Sequence, residues 1–77
     1  PEESNLVLVS GEVLFPNALV FEPQAKPEDY VQRAGGFNQG ADKARVIVLR
    51  QDGSVVPSTE VASLRPGDEI MVLPKIE

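Results

Sequence analysis

The chain has 77 residues, 42% of them hydrophobic and 25% charged, a formal net charge of -5, and neither cysteine nor histidine. Such a composition describes one small globular domain. It excludes a disulfide frame, a thiolate metal site and a histidine base for a serine nucleophile.

Asn5 to Val9 is a continuous apolar run without helical period, bounded by Ser10-Gly11, and reads as a buried strand. Glu12 to Phe15 is expected to resume that strand after a bulge or close backbone approach at Gly11, with the Glu12 carboxylate accepting from backbone donors that the bulge opens. Pro16-Asn17 reads as a turn, asparagine tolerating the left-handed second corner, and Ala18 to Phe21 as the antiparallel return strand.

Glu22 to Lys26 connects to the chain's single expected α-helix, Pro27 to Ala34. Proline suits the first helical position and Glu28 and Asp29 suit the positive end of the dipole, whereas Lys26 is a poor cap. Gly35-Gly36 stops the helix, and Phe37 is expected to fold back near Val31. Tyr30, Val31 and Ala34 form the apolar face. Eight residues span roughly 12 Å, too little to persist alone, so a sheet must hold this helix.

Asn38 to Lys43 reads as a polar loop and Arg45 to Arg50 as the strongest strand, because β-branched residues dominate it. Gln51-Asp52-Gly53-Ser54 reads as an Asp-Gly hairpin turn with positive φ at both central residues, followed by a short strand from Ser54 to Pro57. Ser58 to Leu64 is either a helical turn capped by Ser58 or, over Val61 to Leu64, a short edge strand. Arg65-Pro66-Gly67-Asp68 is a type II turn and Glu69 to Leu73 the last strand. A hairpin crossed by one helix and completed by later strands is the β-grasp arrangement, an α+β fold with a mixed sheet packed on a single short helix.

Three patterns in register, VSGEVLFPN (Val9 to Asn17), YVQRAGGFNQGADKARVIVLRQDGSV (Tyr30 to Val55) and LRPGDEIMVLP (Leu64 to Pro74), resemble the SLBB domain, the soluble-ligand-binding β-grasp of Wza-like bacterial polysaccharide biosynthesis and export proteins. The resemblance covers nearly the whole chain. It departs from the family at Asn17, where glycine is common, and at Lys26, where a capping residue is common. It assigns structural roles to Gly11, Glu12, Pro16, Gly35, Gly36, Asp52, Gly53, Pro66, Gly67 and Asp68. It also implies a module of a multi-domain export protein, periplasmic and associated with the outer membrane, whose partners are sibling domains, further copies in a ring and the exported capsule or exopolysaccharide. The PEES opening, without the Met, basic and apolar regions of a signal peptide, reads as the edge of such a segment.

Residue chemistry points the same way. Gly35-Gly36 lies at the wrong end of its helix to cradle a phosphate. Asp68 and Glu69 are adjacent on a strand and point to opposite faces, so they cannot converge on one substrate atom. No cofactor, metal site or catalytic residue is expected. Tyr30 and Phe37 are the candidate sugar platforms, with Arg33 and Arg45 as candidate polar contacts.

The charge is uneven: Glu2, Glu3, Glu12, Glu22, Glu28 and Asp29 outweigh Lys26 in the first thirty residues, and Arg33, Lys43, Arg45 and Arg50 outweigh Asp42 in the next twenty. That split suits a solvated face or a charge-selected head-to-tail contact between copies, and the overall sign opposes nucleic acid. Two other classes stay open: a stand-alone small-ligand module, and the β-grasp piece of a DNA-uptake protein.

Overall fold

Successive strand residues point to opposite faces, which puts Val7, Val9, Val48, Ile70 and Val72 together on one face of a sheet, each fully buried. In the computed structural model, which describes residues 5–76, the strands are β1 (Leu6–Gly11), β2 (Asn17–Val20), β3 (Ala41–Leu49), β4 (Val55–Pro57) and β5 (Glu69–Pro74). Their order across the sheet is β2-β1-β5-β3-β4. β1 and β5 run parallel and the other neighbours antiparallel, so the sheet is mixed. The PEES segment and Glu77 lie outside the described residues.

One α-helix, α1 (Pro27–Arg33), covers this face. Tyr30 and Val31 of the helix, with Ala34 at its C-terminal cap, join the cluster formed by the sheet valines, Ile70, Val13 and Leu64. Lys26 offers no capping side chain, as expected. Instead Asp29 reaches back, its Oδ2 accepting from the Lys26 N–H at 2.9 Å. At the other end the Gly36 N–H donates to Val31 O (2.9 Å) and the Gly35 N–H to Gln32 O (3.1 Å), the paired bonds of a Schellman stop. Both glycines have positive φ, +91° and +87°.

Several expectations are corrected. Glu12 to Phe15 does not resume the strand. Gly11, at φ +88° and so close to β5 that a Cβ would lie 2.2 Å from Val72 O, turns the chain out of the sheet. The Leu14 and Phe15 N–H groups then donate to Gly36 O and Ala34 O, satisfying acceptors at the end of α1. Only Val13 pairs, in an isolated bridge with Phe37. The Glu12 carboxylate accepts from the Asn38 side-chain amide at 3.0 Å, not from backbone.

Asn17 is not a left-handed corner, since no non-glycine among the described residues has positive φ. It opens β2, and its side-chain N–H donates to Phe15 O at 2.7 Å. The Asp-Gly turn likewise has positive φ at Gly53 alone. Gly53 N–H donates to Arg50 O and Arg50 N–H to Ser54 O, which is a three-residue hairpin loop closed by a left-handed glycine. Ser58–Glu60 is a 3-10 turn, with Ser58 inside it and not capping, and Val61 to Leu64 is not a strand. The Arg65–Asp68 turn is as expected, with Gly67 at φ +94° and Asp68 N–H donating to Arg65 O.

The far face of the sheet has no helix over it among the described residues. Leu6, Leu8, Val20 and Val55 are exposed there, and Ile47, Leu49 and Met71 are half-buried between them.

Candidate functional site

The largest departure from the sequence reading builds the site. Asn38 to Lys43 is not a plain loop: β3 already begins at Ala41, which pairs with Pro74, yet the next paired position is Val46 with Val72. Four residues, Asp42 to Arg45, therefore stand opposite Leu73 alone, and the strand bulges away from β5. Two short side-chain-to-backbone bonds set its shape. Asn38 Oδ1 accepts from the Gly40 N–H at 2.8 Å, and Asp42 Oδ1 from the Ala44 N–H at 3.1 Å. Asparagine and aspartate make such bonds readily in place of a ladder bond, so the bulge is held by its own residues.

A broad open cleft of about 840 Å³ lies against this bulge, bordered by Phe37, Gln39, Asp42, Lys43, Arg45 and Lys75 among others. The Phe37 ring is half-buried, packed on the core from one side. Lys43 Nζ stands 5.8 Å from its centroid, within reach of the attraction between a cation and a ring face. Lys43, Arg45 and Lys75 are exposed and make no ion pair among the described residues. The carboxylate of Asp42 is turned onto the bulge backbone.

The four sequence candidates separate here. Phe37 and Arg45 both line the cleft. Tyr30 does not present a sugar platform: it is fully buried, its hydroxyl accepting from Glu22 N–H (2.9 Å) and donating to Glu22 O (3.2 Å). Arg33 lies beside it, 5.7 Å from the Tyr30 centroid and paired with Glu22 Oε1 at 3.1 Å. Arg50 also leaves the basic group, since its guanidinium is bonded to buried Asp68. Lys75 and Gln39 were not singled out by sequence reasoning. Lys75 reaches the cleft because its N–H donates to Gly40 O at 2.9 Å, a pairing that depends on the bulge.

The two adjacent carboxylates of the last motif are bonded within the domain. Asp68 Oδ2 accepts from Arg50 Nη1 and from the Arg65 N–H at 2.9 Å, while Glu69 Oε2 accepts from Ser10 Oγ at 2.6 Å. The two carboxylates have separate partners. Among the described residues no group of His, Cys, Asp and Glu could hold a metal ion.

A short helix on a five-stranded mixed sheet, with a bulged strand and a solvent-open cleft, defines a β-grasp module. Along all 77 residues the chain is 53% identical to each of two Escherichia coli proteins named polysialic acid transport protein KpsD, and it spans 14% of their length. The chain is thus homologous throughout to one segment of a polysaccharide transport protein, consistent with the export-protein domain that its motifs resemble. No family model matches the chain, and no solved structure matches it. No helix of the described residues is long and apolar enough to cross a membrane.

Proposed function

We propose that the chain is a non-catalytic module of a polysaccharide export protein, contributing contacts to an envelope assembly through which a capsule or exopolysaccharide passes. The observation that carries this reading is 53% identity, over an alignment that covers the whole chain, to a polysialic acid transport protein. In this reading the module lies in the periplasm, associated with the outer membrane. A module of this kind holds its neighbours and does no chemistry, and Asp68 and Glu69, the adjacent carboxylates, are each tied to structural partners.

The surface suited to such contacts is the uncovered sheet face, where Leu6, Leu8, Val20 and Val55 are 41%, 43%, 60% and 55% exposed. Its occupant is another part of the same export protein, because the relatives carry most of their length outside the matched segment. Contiguous apolar surface of this kind marks interaction sites, and a charge-selected contact between copies adds specificity more than affinity. Nucleic acid is not proposed as a partner: the net charge is -5, and Arg33 and Arg50 are paired within the domain.

The test is in-frame removal of this segment from the full-length protein, with surface polysaccharide measured beside the amount of protein. The expected result is loss of surface polymer with the protein still present. Export at the parental level would overturn the reading.

A second reading, a module that takes a soluble ligand, is favoured by one observation only, the basic cleft at the β3 bulge.

A further inference from the structure

We infer that the cleft at the β3 bulge takes the carboxylate of an acidic saccharide, so that this module contacts the polymer as well as its neighbours. The inference rests on the export reading for its choice of ligand, and on the geometry for the site.

Charge is the first observation. In a chain of net charge -5, Arg33 is neutralised by Glu22 and Arg50 by Asp68. Lys43, Arg45 and Lys75 border one cleft with no carboxylate in ion-pair contact among the described residues, and the nearby Asp42 carboxylate accepts from Ala44 N–H. Three cations with no ion-pair partner among the described residues line this cleft and raise the positive potential there, against the sign of the whole domain. An anion entering the cleft relieves that repulsion.

Shape is the second. The Asn38 and Asp42 bonds set the backbone around Lys43 and Arg45 before any ligand arrives, so binding has to order their side chains but not the strand that carries them. Arg45 offers two parallel donors that match a carboxylate, and Lys43, held over the Phe37 ring, offers a point charge beside it. The Gln39 side chain, exposed at the rim, supplies a donor and an acceptor for hydroxyl groups. An acidic sugar unit carries all three features in one small body: a carboxylate, hydroxyls and an apolar ring face. Polysialic acid, the polymer named for the relatives, presents one carboxylate per unit.

Binding at each site must be weak. A chain in transit has to leave, and an exposed cluster is screened at physiological salt, so the dissociation constant is expected to be weaker than roughly 1 μM.

The test uses the 77-residue chain labelled with nitrogen-15, and sialic acid oligomers, a neutral glucan of equal length and an oligoglutamate of equal charge as probes. Sialic acid oligomers should give saturable amide shifts confined to residues 37–45 and 75–76, weakened by added salt. The glucan should give none, and oligoglutamate should bind at least tenfold more weakly. The double variant Lys43→Gln with Arg45→Gln should lose at least tenfold in affinity, Lys75→Gln about threefold, and Arg33→Gln, outside the cleft, should bind as the parent does. Because all four positions are exposed, unchanged shifts elsewhere in the spectrum verify the fold of each variant.

The proposal is overturned by absent shifts, by shifts that map outside the cleft, by variants that bind as the parent does, or by oligoglutamate binding equally well. The last result would assign the cleft to an acidic protein surface. Loss of this binding leaves export by the segment-deleted protein as a separate result, so the two readings fail independently.

Discussion

Arg50 donates through Nη1 to Asp68 Oδ2, and the carboxylate it meets is 2% exposed. The same oxygen accepts from the Arg65 N–H, so one buried side chain ties the end of β3 to the turn that starts β5. Replacing Asp68 by Ala strands a partly buried guanidinium and a backbone donor, and should cost about 2 to 4 kcal/mol in urea unfolding. Replacing Arg50 and Asp68 together by apolar residues should cost less than the sum of the single changes. A loss below about 0.5 kcal/mol for Asp68→Ala, within the range of ordinary surface changes, would show that the pair is not structural.

Gly35 and Gly36 both have positive φ, but their surroundings differ. A Cβ on Gly36 meets nothing within 4 Å, whereas one on Gly35 would lie 2.6 Å from the Phe15 ring and 2.9 Å from Leu14 Cβ. Gly36→Val should therefore cost on the order of 1 kcal/mol or somewhat more, from the left-handed penalty alone. Gly35→Val adds overpacking, for a total of at least about 2 kcal/mol. Paired urea titrations check the order, and equal losses would contradict it.

Asp52 gives the pH dependence with a definite sign. The Ser54 N–H at 2.9 Å, then the Ser54 hydroxyl at 2.7 Å, hold its carboxyl below the ordinary value of 3.8, with the Arg65 charge assisting. A folded pKa below the unfolded one means that this group stabilises the fold above the unfolded value, and that the contribution is lost as pH falls through the folded value. A carboxyl carbon titration should place the Asp52 midpoint below 3.8. A midpoint at or above it would mean that the Ser54 bonds do not form.

Val20→Glu with Val55→Glu probes the uncovered sheet face at its most exposed positions. Stability of the 77-residue chain should change by no more than about 0.5 kcal/mol for each. The full-length protein carrying the pair should assemble less, by sedimentation at matched concentration. Unchanged assembly would remove this face from the contact.

Much of the fold is legible in the sequence because its punctuation is local. Pro27, Gly35-Gly36, Pro66-Gly67 and the β-branched run from Val46 to Leu49 each act within a few residues, and each sits where expected in kind. What was not legible depends on partners far along the chain. Leu14 and Phe15 leave the sheet because the end of α1 offers them acceptors, and β3 begins early because Ala41 finds Pro74. The candidate site follows the same division. Phe37 and Arg45 could be named from residue type, but Lys75 joins them only through the bulge, and Tyr30 was withdrawn by burial that its position on the apolar helix face already implied.

The central claim is that this chain acts as an interchangeable module of a polysaccharide export protein. The most direct measurement replaces the matching segment of the Escherichia coli polysialic acid transport protein by these 77 residues, in cells lacking the parent copy, and quantifies polysialic acid at the surface. Restoration to near the parental level is the predicted result. A chimaera present at the parental amount that leaves the surface bare, while the unaltered transport protein restores it, would contradict the claim.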